Sequence, residues 1–178
     1  MFRNILKYGF FAGLFIGSAS FVAMLSMAGG PPPPYSMALG YATMLIGLSA
    51  VFVGVKRYRD DALGGVIRFW PAFGMGLAIS FIAGVFYVLA REATLAVTNM
   101  DFAGDYSKML IAQQKTKGIS AEALAKFVAE MEEFKKMYAN PLLRMPMTFV
   151  EIFPVGVLVS LVTAGLLRNS RFLPSRRT

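Results

Sequence analysis

The chain has 178 residues, 56% of them hydrophobic and 16% charged, and a mean hydropathy of +0.57, which is too apolar for a water-soluble domain of this length. It has no Cys and no His, which excludes disulfides, thiolate chemistry, zinc or haem ligation by those side chains, and imidazole acid–base catalysis within this chain alone. The formal charge of +8 and pI near 9.9 would suit nucleic acid in a soluble protein. Here the basic residues flank apolar runs without an aromatic-and-basic surface motif, so membrane orientation and anionic headgroups explain them and no nucleic-acid partner is expected.

The first apolar run, about residues 8–28, follows Arg3 and Lys7. Ser26, Met27 and Ala28 resemble a small-x-small signal cleavage site. A signal core holds about 7–15 residues, however, whereas this run has the length of a full crossing, about 20 residues, so it is expected to be retained. Gly29, Gly30 and Pro31 through Pro34 then predict a short extended connection. A second span, about residues 35–55, ends in Lys56, Arg57, Tyr58, Arg59, Asp60 and Asp61, expected to form a charged loop before Gly64 and Gly65. Arg68, Phe69 and Trp70 read as an interfacial anchor, and Pro71 suits the start of a third span over about residues 71–92, bounded by Arg91 and Glu92.

Residues 100–140 carry a different pattern. Phe102, Tyr106, Met109 and Leu110 recur with a helical period, as do Leu124, Phe127, Val128, Met131, Phe134 and Tyr138. Lys117 and Gly118 suit a turn, Ser120 an N-cap, and Asn140 with Pro141 a stop, so an amphipathic helical hairpin is expected between spans three and four. Its charges, including Glu130, Glu132, Glu133, Lys135 and Lys136, read as a solvated face rather than a metal site. The fourth span, about residues 142–167, contains Glu151 and Pro154. The proline removes an amide hydrogen and leaves the carbonyl of Val150 without its helical partner, so a kink is expected there.

Basic residues set the orientation. Arg3 and Lys7, then Lys56, Arg57, Arg59 and Arg68, then Arg168, Arg171, Arg176 and Arg177 fall on one face, while the opposite Gly and Pro connection has none. Both termini are therefore expected in the cytoplasm, with the hairpin outside. The fold class is an all-α integral membrane four-helix bundle forming a single domain over residues 1–178.

Small residues recur one turn apart in three spans: Gly9, Gly13 and Gly17; Gly76, Ser80 and Gly84; Gly156, Ser160 and Ala164. Gly40, Gly47 and Gly54 form a heptad version in the second span. Such stripes let helix backbones approach in lipid, where burial of apolar side chains brings little gain; internal packing is favoured over a homodimer seam.

Glu151 is the one deep acid. An ionised carboxylate in hydrocarbon is costly, so it should face protein, meet a donor or cation, or keep its proton. Helical rise places Tyr87 and Arg91 near its height, which predicts a polar cluster of Tyr87, Arg91, Glu151 and Thr148 between spans three and four. The plainer alternatives are a snorkelling Arg91 and a register-fixing hydrogen bond or ion pair for Glu151; the sharper one is a proton- or ligand-binding carboxylate. For Lys56, Arg57 and Arg59 the plainer reading is topology determination, and the sharper one an acidic lipid or acidic partner. No nucleophile triad, Walker loop or metal-ligand motif occurs, and Gly74-Met75-Gly76 lacks the strand-turn-helix setting of a dinucleotide site. Neither an enzyme activity nor a cofactor is expected.

Three stretches resemble a bacterial membrane family catalogued as domain of unknown function 4199. They are Leu6-Lys7-Tyr8-Gly9; Leu39-Gly40-Tyr41-Ala42 through Val53-Gly54-Val55-Lys56-Arg57-Tyr58-Arg59-Asp60; and Phe134-Lys135-Lys136-Met137-Tyr138-Ala139-Asn140-Pro141 into Thr148-Phe149-Val150-Glu151-Ile152-Phe153-Pro154-Val155-Gly156. The resemblance implies four spans with an outer helical insertion and supplies no activity or functional residues. The functional expectation is a non-enzymatic accessory or scaffold subunit of a larger bacterial membrane complex, meeting membrane lipids and other membrane subunits or itself. The alternative is a small transporter or ion-coupled channel using Glu151.

Overall fold

The computed structural model describes residues 1–26, 35–98 and 101–175. Among these residues there are six α-helices and no strand: α1 (Phe2–Ser26), α2 (Ser36–Ala62), α3 (Phe69–Thr98), α4 (Phe102–Thr116), α5 (Ala121–Ala139) and α6 (Pro141–Leu167). Four of them, α1, α2, α3 and α6, are long and apolar enough to cross a membrane. The extended connection expected over Gly29, Gly30 and Pro31–Pro34, the cleavage-site-like residues Met27 and Ala28, and the basic pair Arg176 and Arg177 lie outside the described residues.

The long helices outrun the apolar runs that announce them. Arg3 and Lys7 lie within the first turns of α1 rather than ahead of it. The expected charged loop at Lys56–Asp61 is helix: α2 continues to Ala62, and Lys56 Nζ meets Asp60 Oδ2 at 2.5 Å one turn on, an i, i+4 pair that favours helical over loop geometry. The helix stops at Leu63, whose N–H returns to the Arg59 carbonyl, before Gly64 and Gly65 take φ of +64° and +92°. Arg91 and Glu92 do not end α3. It runs on to Thr98, with Thr94 and Thr98 Oγ1 each donating to the carbonyl one turn back at 2.7 Å.

Short polar side chains punctuate the rest. Asp101 accepts from Gly104 N at 2.9 Å to cap α4, and Ser120 accepts from Ala123 N at 3.2 Å to cap α5 after Gly118 turns at φ +69°. Asn140 serves two helices. Its N–H closes α5 on the Met137 carbonyl at 3.2 Å, its Oδ1 accepts from Leu142 N at 3.0 Å, and Pro141 fills the first position of α6, where no amide hydrogen is needed. Helix α6 then passes through both Pro146 and Pro154.

Helix α3 packs between α1 and α6, and small residues set the approach. A Cβ added at Gly9 would meet Ile82 at 2.7 Å, at Gly13 the Cβ of Phe86 at 2.5 Å, and at Gly17 the Cβ of Ala90 at 2.5 Å. On the other side of α3, Gly76 faces Ser160, Gly84 faces Phe149, and Ser80 faces Gly156. The hydroxyls of Ser80 and Ser160 lie 3.3 Å apart and both donate to the Gly156 carbonyl, at 3.3 and 2.7 Å. In α2, Gly47 faces Ile16 and Gly54 faces Tyr8, both of α1, while Gly40 has nothing within 4 Å. The stripes thus meet within one chain, where small residues let the helix backbones approach closely. Leu48, Val51, Val55, Ile79, Ala83 and Leu167 form the fully buried centre.

Candidate functional site

The polar side chains gather at the end of the bundle opposite the termini, where α3, α4, α5 and α6 meet. Arg91 is buried, 8% exposed, and its hydrogen bond goes to α5: its Nη2 donates to Tyr138 Oη at 3.4 Å, and its guanidinium lies 4.3 Å from the ring centre of Phe102. Its Nε has no hydrogen-bond partner among the described residues. One residue on, Glu92 takes a two-pronged grip from Arg144 at the start of α6, Nε to Oε1 at 2.7 Å and Nη2 to Oε2, while Arg144 Nη1 donates to the Tyr138 carbonyl at 3.2 Å. Tyr138 is thus held at both its ring hydroxyl and its backbone. It belongs to a cluster of four rings with Phe102, Tyr106 and Phe134, centroids 5.5 to 6.1 Å apart, through which α4 and α5 pack on each other.

Beside this junction is an open cavity of about 550 Å³ lined by Glu92, Asp101, Phe102, Lys135, Tyr138 and Arg144 among others. It carries both signs of charge, but Glu92 and Arg144 satisfy each other and Lys135 pairs with Glu132 at 3.0 Å. Among the described residues no group of three carboxylates is placed to hold a metal, and the chain has no His or Cys to add.

The expected cluster is only partly assembled. Tyr87 is buried and its Oη donates to Glu151 Oε2 at 3.4 Å. Arg91 makes no ion pair with Glu151, because the α3–α6 register that sets Tyr87 against Glu151 carries Arg91 a turn farther, level with the α4–α5 pair. Thr148 is buried on the packed face of α6, and no hydrogen bond joins it to the other three among the described residues. Glu151 is exposed as a residue, at the edge of the α3–α6 contact, while its carboxylate keeps Tyr87 as a hydrogen-bond partner and Arg91 within electrostatic reach. The packed face of α6 runs through Thr148, Ile152, Gly156 and Ser160, and Glu151 stands about 100° round the helix from Ile152.

The basic group at the other end divides as well. Arg59 is fully buried: its Nε meets Asp60 Oδ1 at 2.7 Å, and Nη1 and Nη2 donate to the carbonyls of Phe172 and Leu173 at 3.0 and 2.5 Å. Lys56 is engaged by Asp60, which leaves Arg57 exposed at the surface. Trp70 is 75% exposed beside Phe69 and Phe73, in keeping with an interfacial residue.

Sequence reasoning missed Arg144 and Tyr138. Arg144 lies inside the expected fourth span and was not singled out, and Tyr138 was read as the end of an amphipathic stripe. The available signal was symmetry: a carboxylate just past the apolar stretch of α3 and a guanidinium just before that of α6, with the insertion between them.

Among the described residues, six helices, four of membrane-crossing length, and a polar junction holding the shorter pair make an all-helical architecture compatible with a membrane protein. A family model described as "Protein of unknown function (DUF4199)" matches residues 7–169, and the chain belongs to that family. No curated protein and no solved structure matches it.

Proposed function

We propose that this chain is a non-enzymatic integral membrane module of the bacterial cytoplasmic membrane, with both termini cytoplasmic and the α4–α5 pair as an external helical hairpin. In this reading it serves as an accessory or scaffold subunit of a larger membrane complex, without a cofactor. The observation that carries it is the use made of the polar groups: Arg91, Glu92, Arg144 and Tyr138 are spent on fixing α5 to the ends of α3 and α6. A group so engaged positions a surface and is poorly placed to bind or release a substrate. What the junction presents is α5, with exposed Glu122, Lys126, Glu130, Glu133 and Lys136. Purification from native membranes in mild detergent, followed by mass spectrometry, tests this: stoichiometric membrane partners, lost when exposed α5 charges are reversed, are expected. A chain that purifies alone under those conditions contradicts it.

A second reading, a small transporter or ion-coupled channel, rests on Glu151, a surface carboxylate midway along α6 whose hydrogen bond comes from Tyr87. It requires solute movement in liposomes that stops in Glu151→Gln.

A further inference from the structure

A second cavity, of about 360 Å³, is a shallow groove between α1 and α2, far from the polar junction. Its walls are apolar: Tyr8, Phe11 and Phe15 from α1 and Ile46, Ala50 and Val53 from α2. Phe11, Phe15, Ile46 and Val53 are all more than 40% exposed, so the groove is open on its outer side. From Tyr8 to Phe15 it extends about 10 Å at 1.5 Å per residue, most of the half-thickness, about 15 Å, of a bilayer's hydrocarbon core.

Both walls end in a cation, and at the same end. Lys7 precedes Phe11 by four residues and Phe15 by eight, so it continues the wall of α1 by one turn. Arg57 follows Val53 by four and continues the wall of α2. The helices run antiparallel, with Tyr8 against Gly54 and Ile16 against Gly47, so the two cations close the same mouth. The Lys7 ammonium stands 6.0 Å from the ring centre of Tyr8, a groove residue, and Arg57 is exposed. Lys7 and Arg57 are both exposed, and the nearby Asp60 carboxylate is held by Lys56 and Arg59. Arg3, one turn before Lys7, adds a third cation on the same face.

We infer that this groove is a binding site for an anionic phospholipid, one acyl chain lying between Phe11, Phe15, Ile46 and Val53 and the phosphate seated between Lys7 and Arg57. A zwitterionic lipid matches the groove but not its mouth, and a soluble phosphate matches the mouth but not the groove. The inference rests on the membrane reading given above and adds a ligand to it.

Native mass spectrometry of the detergent-purified full chain, titrated with phosphatidylglycerol or phosphatidylcholine, reads the site directly. One saturable phosphatidylglycerol adduct is expected, preferred over phosphatidylcholine by roughly ten-fold or more, given two basic groups acting on one phosphate. Lys7→Gln with Arg57→Gln removes the preference, Ala50→Leu, which fills the groove floor, weakens both lipids, and Lys115→Gln on α4 changes neither. Equal, non-saturating uptake of the two lipids, or a preference that survives the double charge variant, overturns the inference. Inorganic phosphate competing as well as the lipid does so too. If the preference is absent while membrane partners still copurify, the lipid site alone falls. If the chain is extracted from membranes by alkaline carbonate, the membrane reading falls with it.

Discussion

Arg144 grips Glu92 with two nitrogens and ties α6 to α3 beside the turn that connects α5 to α6. The pair is mostly buried, with side-chain exposures of 16% and 17%, and Arg144 also holds the Tyr138 carbonyl. A fork that satisfies three acceptors cannot be replaced by a point charge. Arg144→Lys should therefore lower detergent stability by about 1–3 kcal/mol despite keeping the charge, and Glu92→Gln by a similar amount. Thermal unfolding in one detergent checks both. A Lys variant as stable as the parent refutes the role of the fork.

The glycines of α1 permit a test with an internal control. A Cβ at Gly13 would fall 2.5 Å from Phe86 Cβ and 2.8 Å from the Ala83 carbonyl, a rigid backbone atom, whereas Gly40 has nothing within 4 Å. Gly13→Ala should cost about 1–3 kcal/mol through overpacking of α1 on α3. Gly40→Ala should be neutral or slightly stabilising, since it removes a flexible residue from a helix. The comparison is read from thermal unfolding and membrane yield, and equal effects at the two positions contradict the packing described.

Much of the architecture was legible because its causes are local. Apolar runs of crossing length announced four helices, Ser120 was readable as a cap and Asn140 with Pro141 as a stop, and most of the small residues in the stripes marked faces that turned inward, whereas the Asp101 cap of α4 went unread. The helix ends were less legible. A charged segment such as Lys56–Asp61 looks like a loop until its i, i+4 pairing is considered, and Arg59 looked solvated because its partners are backbone carbonyls more than a hundred residues away. The hydrogen-bond partner of Arg91 was hidden for a related reason. Rise per residue ranks heights along one helix, but pairing across helices depends on a register set by Gly76, Ser80, Gly156 and Ser160, and a one-turn difference gives the hydrogen bond of Arg91 to Tyr138.

Arg59 anchors the segment after α6. Its fork reaches Asp60 and the carbonyls of Phe172 and Leu173, and the Phe172 ring packs edge-on to Phe52 at 6.4 Å. Arg59→Gln should destabilise the protein by about 2–4 kcal/mol, from the loss of charged hydrogen bonds at a fully buried position. It should also release the segment, so that chymotrypsin cuts after Phe172 faster than in the parent. Arg59→Lys should behave like Arg59→Gln, because one ammonium cannot span the three acceptors. An unchanged cleavage rate refutes the anchor.

Glu151 should matter little to stability. It is exposed and accepts one long hydrogen bond from Tyr87, so Glu151→Gln and Tyr87→Phe should each shift stability by less than about 1 kcal/mol. Tyr87→Ala, which empties a buried site, should cost about 3 kcal/mol or more. Unfolding in detergent separates these cases. A large loss in Glu151→Gln would show the carboxylate to be a structural keystone after all.

The central claim is that four helices cross the membrane and place the α4–α5 pair on the side opposite the termini. The chain has no Cys, so single Cys reporters at exposed Lys126 on α5 and exposed Asn169 beyond α6 can be labelled without background. With a membrane-impermeant maleimide applied to intact spheroplasts, Lys126→Cys should react and Asn169→Cys should react only after the membrane is opened. Labelling of both positions, or of neither, before opening would place them on one side and contradict the account.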